Sequence, residues 1–224
     1  MRRLVFALLL ALLAAPAFAA QFGPAQFPIR ADDGDQMTNF ALPGDLAAEL
    51  TKLSGQVAVG NLKGDVTLMQ LYDLNCPFCR EAAADVDALV KSDKKLKLVF
   101  VPYAVLSIQS VQGALIEIGA SKVATAEQYL DFHRRIYANR GTLDGAKTLQ
   151  AAKDAGLDAQ KVAALGNTEE SLNVLRATAE FGTKAKLVAT PAYAINGVVI
   201  LGHPGLKSLQ KIVAAVRACG KVAC

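Results

Sequence analysis

The chain has 224 residues, of which 53% are hydrophobic and 20% charged, and its formal net charge is +4. This length allows one domain with an insertion, or two small domains, with a substantial apolar core. Its basic residues are scattered apart from Lys94, Lys95 and Lys97, which we interpret as a solvated turn before a strand, so the composition argues against a nucleic-acid partner.

The first residues have the pattern of a secretory signal peptide. Arg2 and Arg3 precede an apolar run from Leu4 to Ala15, and Ala17-Phe18-Ala19 matches a cleavage site. Because the apolar run is too short to cross about 30 Å of hydrocarbon, a retained membrane anchor is the less favoured alternative. We therefore predict a signal peptide over residues 1–19 and a periplasmic location for the mature chain.

Residues 20–59 are predicted to form an N-terminal arm. It contains one short amphipathic helix from Leu46 to Leu53, bounded by Pro43-Gly44-Asp45 and by Ser54-Gly55. We expect this arm to pack on its own domain. A role in dimerisation is the alternative, so the oligomeric state stays open.

A strand followed by two cysteines is the strongest chemical signal in the chain. Asp65 to Tyr72 is β-rich and mostly apolar, as expected of a buried central strand. It leads into Cys76-Pro77-Phe78-Cys79, in which Pro77 has a favoured first helical position. The helix continues from Arg80 to Val90, and an apolar stripe is predicted on it. The stripe residues are Ala83, Val86 and Val90.

This arrangement predicts redox chemistry. Cys76 lies at a helix N-terminus, where free backbone N–H groups and the helix dipole stabilise a thiolate, so we predict that Cys76 is the attacking sulfur. Cys79, one turn further along, is placed to resolve a mixed disulfide. A zinc site is the alternative, but Cys219 and Cys224 are separated from this pair by most of the chain, unlike the ligands of compact zinc sites. We therefore predict no metal site.

The segment from Ser107 to about Lys186 is predicted to be helical. The four predicted helices are Ser107–Ala120, Ala126–Ala138, Leu143–Ala155 and Asp158–Phe181. We interpret the aromatic residues Tyr129, Phe132 and Tyr137 as packing residues. His133 and His203 have no cysteine or acid beside them in sequence, and we interpret both as solvated or capping histidines.

The C-terminal part predicts a strand, a hairpin and a last helix. Thr190-Pro191 opens a strand that runs to Ile195, and Asn196-Gly197 is a strong hairpin signal. The returning strand is Val198–Leu201, and Leu206 to Ala218 is the final amphipathic helix.

Cys219 and Cys224 are predicted to form a structural disulfide, because Gly220 can end the helix in a left-handed conformation and let the chain turn back. An intermolecular disulfide, a second redox relay and a metal clip are the alternatives.

Together these segments resemble the two halves of a thioredoxin fold. The stretches Gly60 to Thr67 and Asp73 to Cys79 resemble the DsbA family of bacterial thiol–disulfide oxidoreductases, and Pro102 to Ala114 resembles that family's entry into its helical insertion. The resemblance implies an α/β, thioredoxin-like fold with an inserted helical subdomain. Residues 60–106 and 187–224 would form the thioredoxin-like domain, and residues 107–186 the insertion.

The resemblance also implies a function. The chain would be an exported protein disulfide oxidoreductase without a cofactor, exchanging a Cys76–Cys79 disulfide with cysteine pairs of substrate proteins through a mixed disulfide on Cys76. A cis Thr190–Pro191 bond would face the sulfurs and bind substrate, and a quinone-linked membrane partner would reoxidise the pair. Two alternatives stay open: a reductase or isomerase kept reduced by a membrane reductant, and a periplasmic protein that binds Cu(I) with its thiolates.

Three residues are expected to tune the redox chemistry: Pro77, Phe78 and Gln70. Gln70 stands six residues before Cys76, where the family commonly has a buried acid, and an amide cannot act as a general base. Phe78 stands where DsbA itself has a histidine, and it offers a thiolate neither charge nor an N–H donor. We therefore expect a milder oxidant than DsbA.

Overall fold

A computed structural model describes residues 25–224, so the predicted signal peptide lies outside the described residues. The strands are β1 (Asn39–Ala41), β2 (Val57–Gly60), β3 (Val66–Tyr72), β4 (Leu96–Pro102), β5 (Ala192–Ile195) and β6 (Val198–Leu201). The helices are α1 (Gly44–Lys52), α2 (Pro77–Ser92), α3 (Ile108–Ser121), α4 (Ala126–Ala138), α5 (Gly145–Asp154), α6 (Ala159–Gly166), α7 (Glu169–Lys184) and α8 (Leu206–Cys219). None of the helices in this part of the chain is long and apolar enough to span a membrane.

The strands form one mixed sheet in the order β1-β6-β5-β3-β4-β2. Only β3 and β4 are paired in parallel, and the other neighbours are antiparallel. The central strand β3 is buried on both faces, which explains why its sequence is an almost continuous apolar run. Its residue Gln70 lies opposite Tyr193 of β5 and Phe100 of β4.

The two faces of the sheet carry separate cores, because successive side chains of a strand point to opposite faces. One face packs against α2, α4 and α8, and its strand residues include Leu68, Tyr72 and Tyr193. The other face packs against α1 and α7, and its strand residues include Met69 and Leu71. Gln70 has the parity of Leu68 and Tyr72, so it faces the α2 side.

The helices between β4 and β5 begin at residues that cap them. Five side chains each accept a hydrogen bond from the backbone N–H three residues later: Ser107, Thr125, Asp144, Asp158 and Thr168. This satisfies one of the free N–H groups at each helix start. Thr125 and Gln128 form a complete capping box.

The predicted single helix Asp158–Phe181 is wrong, because the structure has two helices there. Thr168 begins α7 by accepting a hydrogen bond from the backbone N–H of Ser171, after α6 has ended at Gly166. Gly166 lies against the backbone of α3, where a Cβ atom would collide with Leu115. The glycine therefore allows a close crossing of α3 and α6.

Residues 20–59 contribute two strands that the sequence analysis did not predict. β1 and β2 are the two edge strands of the sheet, one paired with β6 and the other with β4. The predicted stripe on α2 is right at Val86 and Val90, which are buried, and wrong at Ala83. Ala82 is fully buried, whereas Ala83 is only partly buried.

Candidate active site

Cys76 lies at the N-terminus of α2, and Cys79 lies in the first turn of the same helix. Cys76 has an extended backbone at the N-cap position, and Pro77 is the first helical residue. Both thiols are free, and the residues are 5% and 1% exposed, respectively. The Cys76 sulfur lies 3.1 Å from the backbone oxygen of Thr190. The fold thus brings Cys76, Cys79 and Thr190 together from two distant parts of the chain.

The pKa values of the two thiols are shifted in opposite directions. The pKa of Cys76 is lowered to about 6, mainly by a hydrogen bond from the Cys79 thiol, although burial alone would raise it. The Thr190 side chain and the backbone N–H groups of Phe78 and Cys79 also lower it. Burial raises the pKa of Cys79 far above its usual range, and the neighbouring Cys76 raises it further. Near neutral pH, the arrangement therefore holds one thiolate, on Cys76, and one neutral thiol, on Cys79.

The Thr190–Pro191 peptide bond is cis and stands directly before β5. The carbonyl of Pro191 accepts a hydrogen bond of 2.8 Å from the N–H of Gly202. Thr190 is thereby held where its backbone oxygen faces the sulfur of Cys76.

Asp73 organises the loop that leads to Cys76. Its buried carboxylate accepts four hydrogen bonds, of 2.6–2.9 Å, from groups on this loop and at the start of α3. The donors are the backbone N–H groups of Asn75, Val105 and Leu106, and the hydroxyl of Ser110. This role of Asp73 was not predicted from the sequence, although the Asp-x-Asn spacing of Asp73 and Asn75 is typical of an Asx turn.

Two further residues tie the helix N-terminus to the helical segment. Asn75 makes two hydrogen bonds with the backbone of Leu143, of 2.7 and 2.8 Å. The guanidinium of Arg80 donates to the carbonyls of Tyr137, Asn139 and Gly141, at distances of 2.6–3.2 Å. Arg80 therefore satisfies free carbonyl groups at the end of α4.

Gln70 is 1% exposed and has weak hydrogen bonding. Its Nε2 lies 3.5 Å from the hydroxyl of Tyr193, at the limit of a hydrogen bond, and its Oε1 has no partner among residues 25–224. The hydroxyl of Tyr193 lies 2.9 Å from Nδ1 of His203, whose Nε2 lies 3.0 Å from a carboxylate oxygen of Asp85. The interpretation of His203 as a solvated or capping histidine is therefore wrong.

His133 was also interpreted wrongly, because it is a core residue. It is 2% exposed and stacks on Phe100, with ring centroids 4.1 Å apart. Burial lowers its pKa to about 3, so the imidazole is neutral. Tyr129 and Phe132 are fully buried, as expected of packing residues, and Tyr137 is partly buried, packs against the same core and lies beside Arg80.

Glu117 on α3 is a buried acid that the sequence analysis missed. It is 1% exposed and accepts a hydrogen bond of 2.5 Å from the hydroxyl of Tyr72. Burial raises its pKa to about 8, and the nearby carboxylate of Asp73 also raises it. Glu117 is thus mostly neutral at neutral pH.

Exposed apolar side chains lie on the segments that surround Cys76. We call them the apolar rim: Phe78, Val105, Leu106, Ile108 and Val188, which are 46–72% exposed. Phe78 follows the cysteine, Val105 and Leu106 lie on the loop bonded to Asp73, and Val188 precedes Thr190.

Cys219 and Cys224 form a disulfide, with their Cα atoms 6.4 Å apart. Gly220 ends α8 in the left-handed conformation, with φ at 71°, and Val222 inside the loop is buried. Within the described part of the chain, no group of three or more His, Cys, Asp or Glu side chains is placed to hold a metal ion.

Comparisons with known proteins support this description. A family model described as Thioredoxin matches residues 52–215. A comparison with curated proteins gives no match. A thioredoxin-like oxidoreductase from Silicibacter pomeroyi DSS-3 superposes with a TM-score of 0.67 and 25% identity, covering 75% of this chain and 96% of that one.

Two further solved structures share the fold. The thiol-disulfide exchange protein alpha-DsbA2 from Wolbachia pipientis has a TM-score of 0.69 and 20% identity, covering 77% of this chain and 92% of that one. A periplasmic thioredoxin-like protein from Salmonella enterica serovar Typhimurium has a TM-score of 0.66 and 20% identity, covering 78% of this chain and 97% of that one. The predicted α/β thioredoxin-like fold is thus confirmed, and this chain belongs to the thioredoxin family, with a fold shared by DsbA-like proteins.

Proposed function

We propose that this chain is an exported protein disulfide oxidoreductase that exchanges a Cys76–Cys79 disulfide with the cysteine pairs of substrate proteins. The observation that carries the proposal is the pairing of a stabilised Cys76 thiolate with a buried neutral Cys79 thiol. A low pKa makes Cys76 a good leaving group, and its position at the N-terminus of α2 keeps it on the more accessible side of the pair.

The proposed reaction has two exchange steps. A substrate thiolate attacks Sγ of Cys76 in the disulfide form, the Cys76–Cys79 bond breaks, and its electron pair goes to Sγ of Cys79, which takes up a proton. A second substrate thiolate then attacks the substrate sulfur of the mixed disulfide and releases Cys76 as a thiolate. The substrate is oxidised by two electrons, and the Cys76–Cys79 disulfide is reduced by two.

The direction of electron transfer follows from the stability of the Cys76 thiolate. Stabilising the Cys76 thiolate stabilises the reduced protein, which makes the disulfide form an oxidant. The Cys76 pKa of about 6 lies between the values of about 7 for thioredoxin and about 3.5 for DsbA. We therefore propose an oxidase weaker than DsbA, in which Phe78 contributes no charged stabilisation.

The apolar rim and Thr190 suit a protein substrate in an extended conformation. Exposed apolar side chains around Cys76 can contact apolar segments that a folded protein would bury. The backbone of Thr190 lies beside Cys76, where an extended chain can pair with it. We assign Thr190 and Pro191 to substrate binding on this basis.

We also propose a periplasmic location and a membrane redox partner for this chain. The pattern of residues 1–19 supports export to the periplasm, and solved relatives of the same fold include a periplasmic protein. A catalytic cycle that consumes the disulfide needs an external oxidant, so we propose a quinone-linked membrane protein as reoxidant.

Site variants test the proposal. Purified oxidised protein should oxidise a peptide with two thiols, Cys76→Ala should abolish this activity, and Cys79→Ala should accumulate mixed disulfides with the peptide. Adducts held only by Cys79 in Cys76→Ala would reverse the assignment of the two sulfurs.

Thiol trapping in intact cells tests the direction of exchange. An oxidised Cys76–Cys79 pair supports an oxidase, and a pair kept reduced would support the reductase or isomerase alternative. Tight Cu(I) binding without exchange activity would support the copper-binding alternative.

A further inference from the structure

The disulfide between Cys219 and Cys224, which we call the tail disulfide, lies far from Cys76. Nε of Arg217, in the last turn of α8, lies 2.9 Å from both carboxylate oxygens of Asp65. Asp65 directly precedes β3, whereas Cys76 follows the other end of that strand. Because a strand rises about 3.3 Å per residue, the seven residues of β3 hold the two cysteine pairs roughly 20 Å apart. The tail disulfide therefore cannot exchange directly with Cys76 of the same molecule.

The tail disulfide is open to solvent. Both of its residues are exposed, and only residues 220–223 lie between them. Exposed disulfides are generally easier to reduce than buried ones, and closing so short a loop adds little stability. The sulfur of Cys224 lies 3.4 Å from the backbone oxygen of Ala215 on α8, so the disulfide packs along the side of this helix.

A groove of about 390 Å³ runs along α8 to the tail disulfide. Lys207, Lys211 and Ala215 line it at intervals of four residues, so they lie on one face of the helix. Because an α-helix rises 1.5 Å per residue, Lys211 is about 6 Å and Lys207 about 12 Å from Ala215 along the axis. Cys224 also lines the groove, whereas Cys219 does not. A ligand in the groove thus has two cations toward one end and Sγ of Cys224 at the other.

The groove is positively charged. Arg30 is a third cation in its lining, and Asp32 is an acid there. The carboxylate of Asp32 accepts hydrogen bonds of 2.8–3.0 Å from the backbone N–H groups of Lys207 and Ser208 and from the Ser208 hydroxyl. This carboxylate therefore chiefly satisfies the start of α8 and leaves the ammonium groups available. The volume lies within the range of small-molecule sites, so the groove fits a small thiol that carries carboxylate groups.

We propose that the tail disulfide is a second exchange site, which reacts with small thiols that carry carboxylate groups. The small thiolate attacks Sγ of Cys224, the Cys219–Cys224 bond breaks, and its electron pair goes to Sγ of Cys219, which takes a proton from solvent. A second small thiolate then attacks the small-molecule sulfur of the mixed disulfide and releases Cys224 as a thiolate. Two small thiols are thus oxidised to one disulfide, and the tail disulfide is reduced by two electrons. The site does not depend on the exchange reaction proposed for Cys76.

The test uses the mature protein with Cys76→Ala and Cys79→Ala, so that the tail disulfide is the one disulfide the chain can form. Reduced glutathione is the anionic thiol, and cysteamine is the cationic reference. After a short reaction, free thiols are blocked with N-ethylmaleimide and the protein is cut with trypsin, which separates the two cysteines because Lys221 lies between them. Mass spectrometry should find the glutathione adduct predominantly on Cys224 and the blocked thiol on Cys219.

Charge variants test the groove. Lys207→Gln combined with Lys211→Gln should lower the ratio of the opening rates with glutathione and cysteamine at least about threefold at low salt, and less in about 0.5 M salt. The matched control combines Lys153→Gln on α5 with Lys161→Gln on α6, both exposed. It changes the net charge by the same amount and should keep the wild-type ratio. Thermal unfolding of each variant verifies that it is folded.

Every other result counts against the site. Adducts mainly on Cys219, or no opening by glutathione under conditions in which dithiothreitol opens the bond, would overturn the proposal. A ratio that stays unchanged in the groove variant, or that falls equally in the control, would also overturn it, because attraction would then not come from the groove. None of these results bears on the proposed function, since Cys76 and Cys79 are absent from the protein tested. Conversely, a wild-type Cys76–Cys79 pair that does not exchange would overturn the proposed function and leave this site standing.

Discussion

The hydrogen bond between the two thiols should set the acidity of Cys76. It is the largest of the causes that lower the pKa of Cys76 to about 6, from an ordinary value of 9.0. Cys79→Ala removes this donor and should raise the pKa of Cys76 toward its ordinary value. Cys79→Ser keeps a donor of similar size and should leave the pKa close to 6.

The lowered pKa also has a stability consequence with a definite sign. A folded-state pKa below the unfolded value stabilises the reduced protein above the unfolded pKa, and this stabilisation is lost as the pH falls through the folded pKa. For values of about 6 and 9, the contribution is about 3 kcal/mol at pH 8, about 1 kcal/mol at pH 7 and close to zero at pH 5.

Two measurements check this reasoning. The thiolate absorbance of the reduced protein should titrate with a midpoint near pH 6, and the variants Cys79→Ala and Cys79→Ser should differ in this midpoint. Urea unfolding of reduced protein, referred to Cys76→Ala, should show the loss of stability between about pH 8 and pH 5. A wild-type midpoint near 9, or equal midpoints for the two variants, would refute the assignment of the thiolate to this hydrogen bond.

Three further outcomes follow from the site and its surroundings. The redox potential, measured by equilibration with glutathione, should lie between about −270 and −120 mV, and Phe78→His should raise it; a wild-type value at or above the upper limit would contradict the role given to Phe78. Replacing Cys219 and Cys224 with serine should lower the free energy of unfolding by at most about 2–3 kcal/mol and leave exchange activity near wild type, so loss of turnover would make this pair a participant. Asp73→Asn should lower the free energy of unfolding by about 3 kcal/mol in urea titrations, because at least one N–H donor loses its acceptor. The control Asp131→Asn, in an exposed ion pair, should lower it by less than about 1 kcal/mol. Equal effects of the two substitutions would contradict the role of Asp73.

The sequence predicts those parts of the fold whose signals are local. Pro77 after Cys76 predicts the start of α2, and Asn196-Gly197 predicts the hairpin between β5 and β6. Both features depend only on the conformation of a few adjacent residues. The sequence does contain a signal for the division between α6 and α7, because threonine is a common N-cap residue and Thr168 caps the start of α7. It was missed because apolar periodicity continues through the break.

The residues that the sequence analysis missed depend on partners far along the chain. His203 lies 118 residues from Asp85, and nothing beside either residue indicates their contact. Glu117 is a charged residue in a helix, where a solvent-facing position is the ordinary expectation, and its burial follows from packing against Tyr72. Such sites require the tertiary structure, because the hydrogen bonds that permit burial exist only after folding.

The hydrogen bonds of Asp73 and Asn75 have a consequence for how substrates are selected. They connect the loop before Cys76 with the loop at Val105 and Leu106 and with the backbone at Leu143, which makes this surface rigid. Because this surface is already ordered, most of the conformational entropy lost on association must come from the substrate. A chain that has not yet folded can lose that entropy and adapt its shape, whereas a folded protein would first have to release its buried cysteines. If the proposed exchange reaction holds, this rigid surface favours substrates that have not yet folded around their cysteines.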